Sequence, residues 1–449
     1  MFGEECVLVI GKGISGLAAT AHLERLGTKV RCVNTGERVP REWEEAVKKV
    51  VLSPGISPET DMVEHFRRKK IPIIGEIELA FAAEKGQLIA ITGTNGKTTT
   101  TTLVGEIIKA HLGEERTLVV GNIGVPYTTE VVRSAHNTVT VAEISSFQLE
   151  TTQEFKPYVS AILNISPDHL DRHHTMEAYA RAKATIFKRQ TDKDYCVLNY
   201  EDAYTESFVK ECPARVVYFS SAQELWDGYF LRGSKIVKSR DGMVCELLDV
   251  RKDMKLKGIC NVENVMAAIA IADIMKIPWE TTLGVIRQFR AVEHRIEYVD
   301  TVNGIEYYND SKATNPDSAI WGLRAMDRPV ILIAGGYDKK TEYDSWISQF
   351  DGKVKWLVLM GQTGQKIADC AGKYGFSNIK IVNARTEDSV YECFRMATNL
   401  ADKGDAVLLS PACASYDLFA NYEERGRCFK AYVRSLSQTG KEIRKPMSE

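Results

Sequence analysis

Leu88 to Gly105 reads LIAITGTNGKTTTTTLVG, and this stretch constrains the fold more than any other. A short apolar run from Leu88 to Ile91 suits a buried strand, which breaks at a loop with Gly93 and Gly96 before a Thr-rich helix starts at Lys97 or Thr98. Such a strand, emptying through glycines into a helix N-terminus, is a cradle for phosphate. Glycines let backbone N–H groups turn inward, the helix end adds partial positive charge, Lys97 adds a full one, and the Thr98 hydroxyl is suited to Mg2+. The general phosphate loop GxxxxGK[ST] would place glycine at position 91, where this chain has Ile91, so TGTNGKTTT is a narrower variant. A bare GK[ST] reads equally well as a capped turn; here strand, two glycines, lysine and hydroxyls coincide.

The chain has 449 residues, enough for about three domains at roughly 150 residues each. Its 58 Lys plus Arg nearly balance its 60 Asp plus Glu, so no bulk basic field favours nucleic acid, although a local anion site is compatible with that balance. The opening MFGEECVLVIGKG carries acids ahead of a four-residue apolar run, too short for a signal peptide or a membrane span. The expectation is a soluble cytoplasmic protein with no membrane partner. Ten cysteines are scattered without a CxxC or a short Cys/His pairing, which suits small buried side chains in a reducing compartment rather than disulfides or zinc.

Taken in order, Cys6 to Ile10 reads as a strand, followed by Gly11-Lys12-Gly13-Ile14-Ser15-Gly16, a helix through Leu26 and a strand at Lys29 to Val33. A complete GxGxxG in this setting suits a diphosphate at the helix N-terminus. About twenty residues on, where a dinucleotide fold places an acid for the ribose hydroxyls, stand Asn34 and Thr35, which argues against NAD and for another nucleotide. A glycine turn serving only helix packing is the competing reading. Val50 to Ser53 with Pro54-Gly55-Ile56 adds a strand and tight turn, and the unit ends near Lys85-Gly86.

From residue 87 to about 290, strands and helices alternate as in a parallel sheet covered on both faces. Strands end in Gly121-Asn122-Ile123-Gly124, in Glu143-Ile144-Ser145-Ser146-Phe147-Gln148 and, after Val159 to Ile165, in Ser166-Pro167-Asp168-His169-Leu170-Asp171. Ligands in open α/β sheets bind beyond the carboxyl ends of strands, so Glu143 and His169 are candidate Mg2+ ligands; a His near two Asp equally fits a surface loop. Met176 to Arg189 is an amphipathic helix whose inner stripe holds Tyr179, Ala182, Ile186 and Lys183 or Phe187, with Lys183 snorkelling. Thr191 to Val250 is a run of short strands. Asn261-Val262-Glu263-Asn264 opens an Ala-rich helix to Met275, where an Asn caps the helix or reads a base edge, capping being the simpler role.

The region from 291 to 449 begins with Glu293-His294-Arg295 and a hairpin turned at Asn303-Gly304, the favoured type I′ pair. It delivers the polar run Asn309 to Asn315 to a helix start. Strands at Pro329 to Ala334, Trp356 to Met360 and Ala406 to Leu409 each empty into a small or polar loop, a second ligand-binding α/β pattern. Lys441 to Glu449 reads as a frayed charged tail. The fold class is therefore α/β in three domains: residues 1–86 Rossmann-like, 87–290 a phosphate-loop domain with a mostly parallel sheet, and 291–449 Rossmann-like.

TGTNGKTTT, GNIG, EISSFQLE, SPDHLDRH, YARAKATIF, GICNVENVMAA, EHRIEYV, NDSKATNP and SPACASYDLFANYEERG together resemble the Mur ligases, ATP-dependent amide-bond formers of peptidoglycan precursor synthesis, over essentially the full length. NDSKATN with SPACASYD looks like the D-glutamate-adding branch. The resemblance implies a monomer whose substrates are ATP, UDP-N-acetylmuramoyl-L-alanine and D-glutamate. It implies ATP binding by Gly93, Thr94, Asn95, Gly96, Lys97, Thr98 and Thr99, with Asn264, Arg295 and Asp310 around adenine and ribose. It implies one Mg2+ at Thr98 and Glu143 and a second at His169 and an N-carboxylated Lys183, since an ammonium cannot ligate a cation. Lys97, His169, Lys183 and Lys312 would be catalytic, Lys312 reaching the transferred phosphoryl group. Gly13, Ile14, Ser15, Asn34, Thr35, Gly55 and Asn122 would hold the uridine diphosphate substrate. Thr314, Lys339, Ser415 and Tyr422 would frame D-glutamate; the family commonly has Phe at the last of these and often Asp at the position of Asn34, and Lys340 competes with Lys339.

Two other classes share part of this text. An ATP-hydrolysing switch would need the phosphate loop but not Lys339, Ser415 or a carboxylated Lys183. A folylpolyglutamate synthetase would lack the first unit with its own GxGxxG, and an L-glutamate-adding ligase would share every motif.

Overall fold

In the computed structural model the described residues are 6–122, 124–339, 341–350, 352–383 and 387–439. They build three sheets. In the first, β1 (Cys6–Ile10), β2 (Lys29–Val33), β3 (Val47–Leu52) and β4 (Ile73–Gly75) are all parallel, in the order β2-β1-β3-β4. Val7 and Val9 enter one apolar cluster while Leu8 and Ile10 enter another, because successive side chains of a strand point to opposite faces. A run of four apolar residues thus means a strand covered on both sides, with each fully buried aliphatic side chain contributing roughly 1.5–3 kcal/mol. After β1 the chain turns at Gly11, φ 107°, and a Cβ on Gly16 would lie 1.7 Å from the Gly11 carbonyl oxygen, so the helix Ile14–Arg25 starts hard against that turn.

The second sheet holds β5 (Gln87–Thr92), β6 (Thr117–Gly121), β7 (Val139–Glu143), β8 (Val159–Ile162), β9 (Tyr195–Asn199), β10 (Arg215–Ser220), β11 (Gly228–Arg232), β12 (Lys235–Arg240) and β13 (Met243–Asp249), in the order β13-β12-β11-β10-β9-β8-β5-β7-β6. From β6 to β11 the pairing is parallel, and β11-β12 and β12-β13 are antiparallel hairpins at one edge, so the sheet is mostly parallel, as expected. Their links are too short for a crossover, and the second is Asp241-Gly242 with φ of 51° and 74°, a type I′ signal. β8 stops at Ile162 rather than Ile165, and the helix expected to Arg189 is α only over Met176–Ala184, then tightens to a 3-10 turn at Thr185–Phe187.

In the third sheet, β14 (Glu297–Val302) and β15 (Ile305–Asn309) form the expected hairpin, turned at Asn303 and Gly304 with φ of 53° and 79°. Parallel strands β19 (Ala406–Leu409), β16 (Val330–Ala334), β17 (Val354–Leu359) and β18 (Ile379–Ile381) continue it in that spatial order. Val330, Leu332 and Ala334 face one core and Ile331 and Ile333 the other.

The first two sheets lie in one compact unit, made of residues up to Met254 with Glu263–Phe289; the third lies in a second, made of Lys255–Val262 with residues from Arg290. Within the first unit, two carboxylates of the helix Glu76–Phe81 bind the sheets to each other. Glu76 accepts from the backbone N–H and hydroxyl of Thr128 at 2.6 and 2.7 Å, and Glu78 accepts from the N–H groups of Gln153, Glu154 and Phe155 at 2.8–3.1 Å. Among the described residues no helix is long and apolar enough to cross a membrane.

Candidate active site

β5 runs between parallel neighbours β7 and β8, third from the β6 edge of its sheet, and its carboxyl end opens where ligands of such sheets bind. The loop that follows is held from outside. Asn164, two residues past β8, accepts from the Asn95 N–H at 2.8 Å and donates to the Asn95 carbonyl at 3.1 Å, while its own carbonyl takes the Thr94 N–H at 2.8 Å. The Tyr179 hydroxyl sits 3.1 Å from that of Thr94. Gly93 and Gly96 have φ of 153° and 81°, and Gly96 caps the helix Lys97–Leu112 in the left-handed conformation. A Cβ on Gly96 would lie 2.2 Å from Asn264 Oδ1.

Asn264 therefore does not cap its helix. It stands inside Ile259–Ile274 and its Oδ1 accepts from the Thr100 hydroxyl at 3.2 Å, packing the helix onto the phosphate loop. Capping was the simpler reading because Asn is a strong N-cap; the helix in fact begins five residues earlier, at Ile259.

Lys97 Nζ donates to the carbonyls of Gly93 and Thr94, both at 2.8 Å, and Lys183 Nζ donates to the same Gly93 carbonyl at 2.8 Å. Lys183 is 1% exposed, so it does not snorkel. Burial, and then the charge of Lys97, hold its amine well below the usual lysine range, opposed by the carboxylates of Asp168 and Glu143. Glu143 ends β7 and is buried; Oε1 accepts from Asn122 Nδ2 at 2.7 Å, and Oε2 is buried with no hydrogen-bond partner. Asn122 is thus engaged by Glu143, whose carbonyl also takes its N–H at 2.8 Å. His169 is left-handed, φ 53°, at the start of the one-turn helix Leu170–His173, edge-on to Phe147 with ring centroids 4.7 Å apart. An orphaned carboxylate oxygen and a buried amine whose pKa is pulled down fit a cation site. Among the described residues no three His, Cys, Asp or Glu gather as a ready cage, so such a cation would take few protein ligands and complete its shell from phosphate and water.

On the first sheet, Gly13 and the exposed Ile14 open the helix Ile14–Arg25, followed by Ser15. Asn34 braces this turn: its Oδ1 accepts from the Lys12 N–H at 2.8 Å, with Thr35 beside it in the turn. Gly55 lies in the turn closed by the Ile56 N–H on the Ser53 carbonyl at 3.0 Å.

In the second unit, the loops after β15, β16 and β19 meet. Asp310 is wholly buried, accepting from Ser410 Oγ at 2.8 Å and the Ile296 N–H at 3.2 Å; burial pushes its pKa up to about 6, against the pull of Arg295. Each of its two oxygens accepts one hydrogen bond inside the unit, which braces the loop after β15. Asn315 caps the helix Pro316–Arg324 by accepting from the Ser318 N–H at 2.7 Å. Lys312 Nζ lies 5.7 Å from the centre of the Tyr422 ring, whose backbone carbonyl takes the Ser311 hydroxyl at 2.8 Å. The Thr314 N–H turns back onto the Lys312 carbonyl at 2.9 Å. Ser415 is buried where Leu418 and Phe419 donate to its carbonyl, and Lys339 is exposed after Gly336, whose Cβ would lie 2.2 Å from the Ala414 carbonyl. Lys340 falls outside the described residues.

Arg425 joins two of these loops, and no motif reasoning singled it out. Fully buried, it donates to Ser311 Oγ at 2.9 Å, the Ser311 carbonyl at 2.8 Å, the Cys413 carbonyl at 3.1 Å and the Ala414 carbonyl at 3.4 Å. Burial pulls its pKa down to about 10. Asn164 was missed as well, although a polar residue just past a strand adjoining the phosphate-loop strand is a usable signal. Arg425 offers none, being an arginine in an acidic, helical stretch.

Residues 91–272 match the Mur ligase middle domain, and residues 294–413 match the Mur ligase, glutamate ligase domain. The chain is 48% identical to the UDP-N-acetylmuramoylalanine--D-glutamate ligase of Lachnoclostridium phytofermentans, covering 96% of this chain and 98% of that one. It is also 48% identical to the protein of the same name from Lachnospira eligens, with the same coverage. The UDP-N-acetylmuramate-alanine ligase MurC from Thermotoga maritima shares the fold, with a TM-score of 0.61 at 18% identity over 97% of this chain and 99% of that one.

Proposed function

The chain belongs to the Mur ligase family, and on that premise we propose that it joins D-glutamate to UDP-N-acetylmuramoyl-L-alanine using ATP, in peptidoglycan precursor synthesis. The observation that carries the reading furthest is Lys183, a buried amine beside a phosphate loop whose pKa burial and Lys97 hold well below the usual lysine range. A neutral amine has the lone pair that addition of CO2 requires, and the resulting carbamate is an anion able to ligate a cation. A simple ATP-hydrolysing switch has no use for it.

Residues 1–86 would take the uridine diphosphate substrate, 87–290 ATP, and 291–449 D-glutamate, in a cytoplasmic monomer. Ten free cysteines suit that compartment. Thr98 and Glu143 would hold one Mg2+, and His169 with carboxylated Lys183 a second; when bound, these ions neutralise phosphate charge and polarise the transferred group. Lys97 and the helix N-terminus would hold the β and γ phosphates, and Lys312 would serve the transferred group. The alanyl carboxylate oxygen attacks the γ phosphorus as the bond to the bridging oxygen breaks, giving ADP and an acyl phosphate. The D-glutamate amine, set by Thr314, Lys339, Ser415 and Tyr422, then attacks the acyl carbon. The tetrahedral intermediate expels phosphate with the electron pair of the broken C–O bond, and the nitrogen loses its proton. Exclusion of water protects the acyl phosphate.

The test is phosphate release from ATP and Mg2+ with UDP-N-acetylmuramoyl-L-alanine and one amino acid at a time. Release requiring both the nucleotide substrate and D-glutamate supports the reading. Release indifferent to the amino acid would make the protein a bare ATPase, and a requirement for L-glutamate would change the acceptor.

A further inference from the structure

Arg172 touches two parts of the first unit that the proposed reaction uses separately. It stands three residues after His169, on the one-turn helix Leu170–His173. Its Nη1 donates to the Pro54 carbonyl at 2.8 Å and its Nη2 to the Ile56 carbonyl at 3.2 Å, so the guanidinium grips the turn that contains Gly55. That turn also abuts the glycine loop of β1: a Cβ on Gly11 would lie 2.5 Å from Ser53 Cβ, and one on Gly16 would lie 3.1 Å from Ser53 Oγ. On its other side, Nη2 is 2.6 Å from Glu150 Oε2, and the guanidinium carbon lies 4.0 Å from the centre of the Phe147 ring.

Phe147 is the ring against which His169 sits. It also faces His173, whose Nδ1 is 3.3 Å from Glu150 Oε1 and whose Nε2 is 3.0 Å from Ser146 Oγ. An unbroken series of contacts therefore runs from the Pro54 and Ile56 carbonyls through the guanidinium and the Phe147 ring to the His169 imidazole. A structural ion pair needs only Glu150. Here a planar fork donates to two carbonyls, pairs with a carboxylate and covers an aromatic face, a set that lysine cannot reproduce.

We propose that Arg172 is a positioning residue that couples the nucleotide-substrate turn Ser53–Ile56 to the placement of His169, so that seating of the uridine diphosphate end orders the imidazole. The proposal rests on the reading of the function given above. A substrate phosphate or base that presses on Gly55 shifts the two carbonyls, and the stiff guanidinium transmits the shift to Phe147 without a change of fold. Supporting groups of this kind typically change affinity or activity roughly ten- to a hundred-fold when altered.

The experiment uses the full chain without metal or ATP. Binding of UDP-N-acetylmuramoyl-L-alanine is measured by calorimetry, and the His169 ring resonance, assigned with His169→Gln, is followed during the titration. Expected is a shift of that resonance on binding in the wild type, and in Arg172→Lys a dissociation constant raised about ten-fold with the shift gone and ADP affinity retained. A dissociation constant within two-fold of wild type, or a retained shift, overturns the proposal. Should Arg172→Lys fail to fold, Phe147→Leu keeps the grip on the two carbonyls: substrate binding then stays within two-fold while the His169 shift disappears, and persistence of the shift is fatal to the coupling. A wild type that releases phosphate with D-glutamate yet shows no shift sinks the coupling alone. A wild type that does not bind the nucleotide substrate removes the functional reading and this proposal with it.

Discussion

Lys97 and Lys183 meet on one acceptor: each Nζ lies 2.8 Å from the carbonyl oxygen of Gly93. Two ammonium groups so placed would stand at most about 5.6 Å apart, a repulsion of at least about 3 kcal/mol at an effective dielectric near 20. Lys97 is half-buried, whereas Lys183 is enclosed, so burial and the neighbouring charge lower the pKa of Lys183.

The lowered pKa favours the deprotonated amine that carboxylation requires. Wild-type protein equilibrated with 13C-bicarbonate is expected to show a carbamate carbon resonance that is missing in Lys183→Arg, whose guanidinium stays protonated. Ligase turnover in that variant should fall at least about a hundred-fold. Near-normal turnover of Lys183→Arg would remove the carbamate from the account.

Lys97→Ala separates charge from fold. Its loss should lower kcat about 10²–10³-fold or more, as removal of a donor to developing charge does, with the melting temperature nearly unchanged. It also relieves the repulsion on Lys183, whose pKa should rise, so carbamate formation at a fixed pH near 7 should fall. An increase in the carbamate signal would contradict the shared-carbonyl geometry.

Asp310 makes the stability of the second unit depend on pH. Its folded pKa, about 6, is raised from 3.8, so the folded state holds the proton more tightly than the unfolded chain. Its contribution is fully present below about 3.8 and is lost as pH rises through about 6, on the order of 3 kcal/mol across the window. Asp310→Asn, which keeps the shape and cannot ionise, should flatten that part of the profile. Denaturant midpoints of both proteins at pH 4.5, 5.5 and 7 give the comparison, and parallel profiles would show that the carboxyl does not titrate there.

Arg425→Met should unfold or loosen the second unit more than any substitution at an exposed site candidate such as Lys339. Removing the guanidinium leaves the carbonyls of Ser311 and Cys413 buried without donors, a loss of about 3–5 kcal/mol for a broken buried network. Melting curves check it. If Arg425→Met melts within a degree or two of wild type, the two loops are held by something else.

What could be read from the residues alone is what short-range geometry encodes. The strand, glycines and Thr-rich helix from Leu88 to Gly105 stand where periodicity and φ preferences put them, as do the Asn303-Gly304 turn and the helix beginning at Pro316. Each depends on neighbours within a few positions in the chain. The β12-β13 hairpin is legible as well, since Asp241-Gly242 is a local turn signal inside the run of short strands from Thr191 to Val250.

Only the tertiary structure decided how the charged groups are used. Lys183 is an ordinary inner-stripe residue until a carbonyl ninety positions earlier and a second lysine meet it; Asn264 is a cap by its neighbours until it lies against Gly96; Arg172 and Arg425 stand inside SPDHLDRH and SPACASYDLFANYEERG, but their neighbours do not mark their roles, their acceptors lying more than a hundred positions away except at the nearer Glu150, Cys413 and Ala414. The physical reason is that burial and through-space charge set protonation and hydrogen bonding, and neither is a property of sequence spacing.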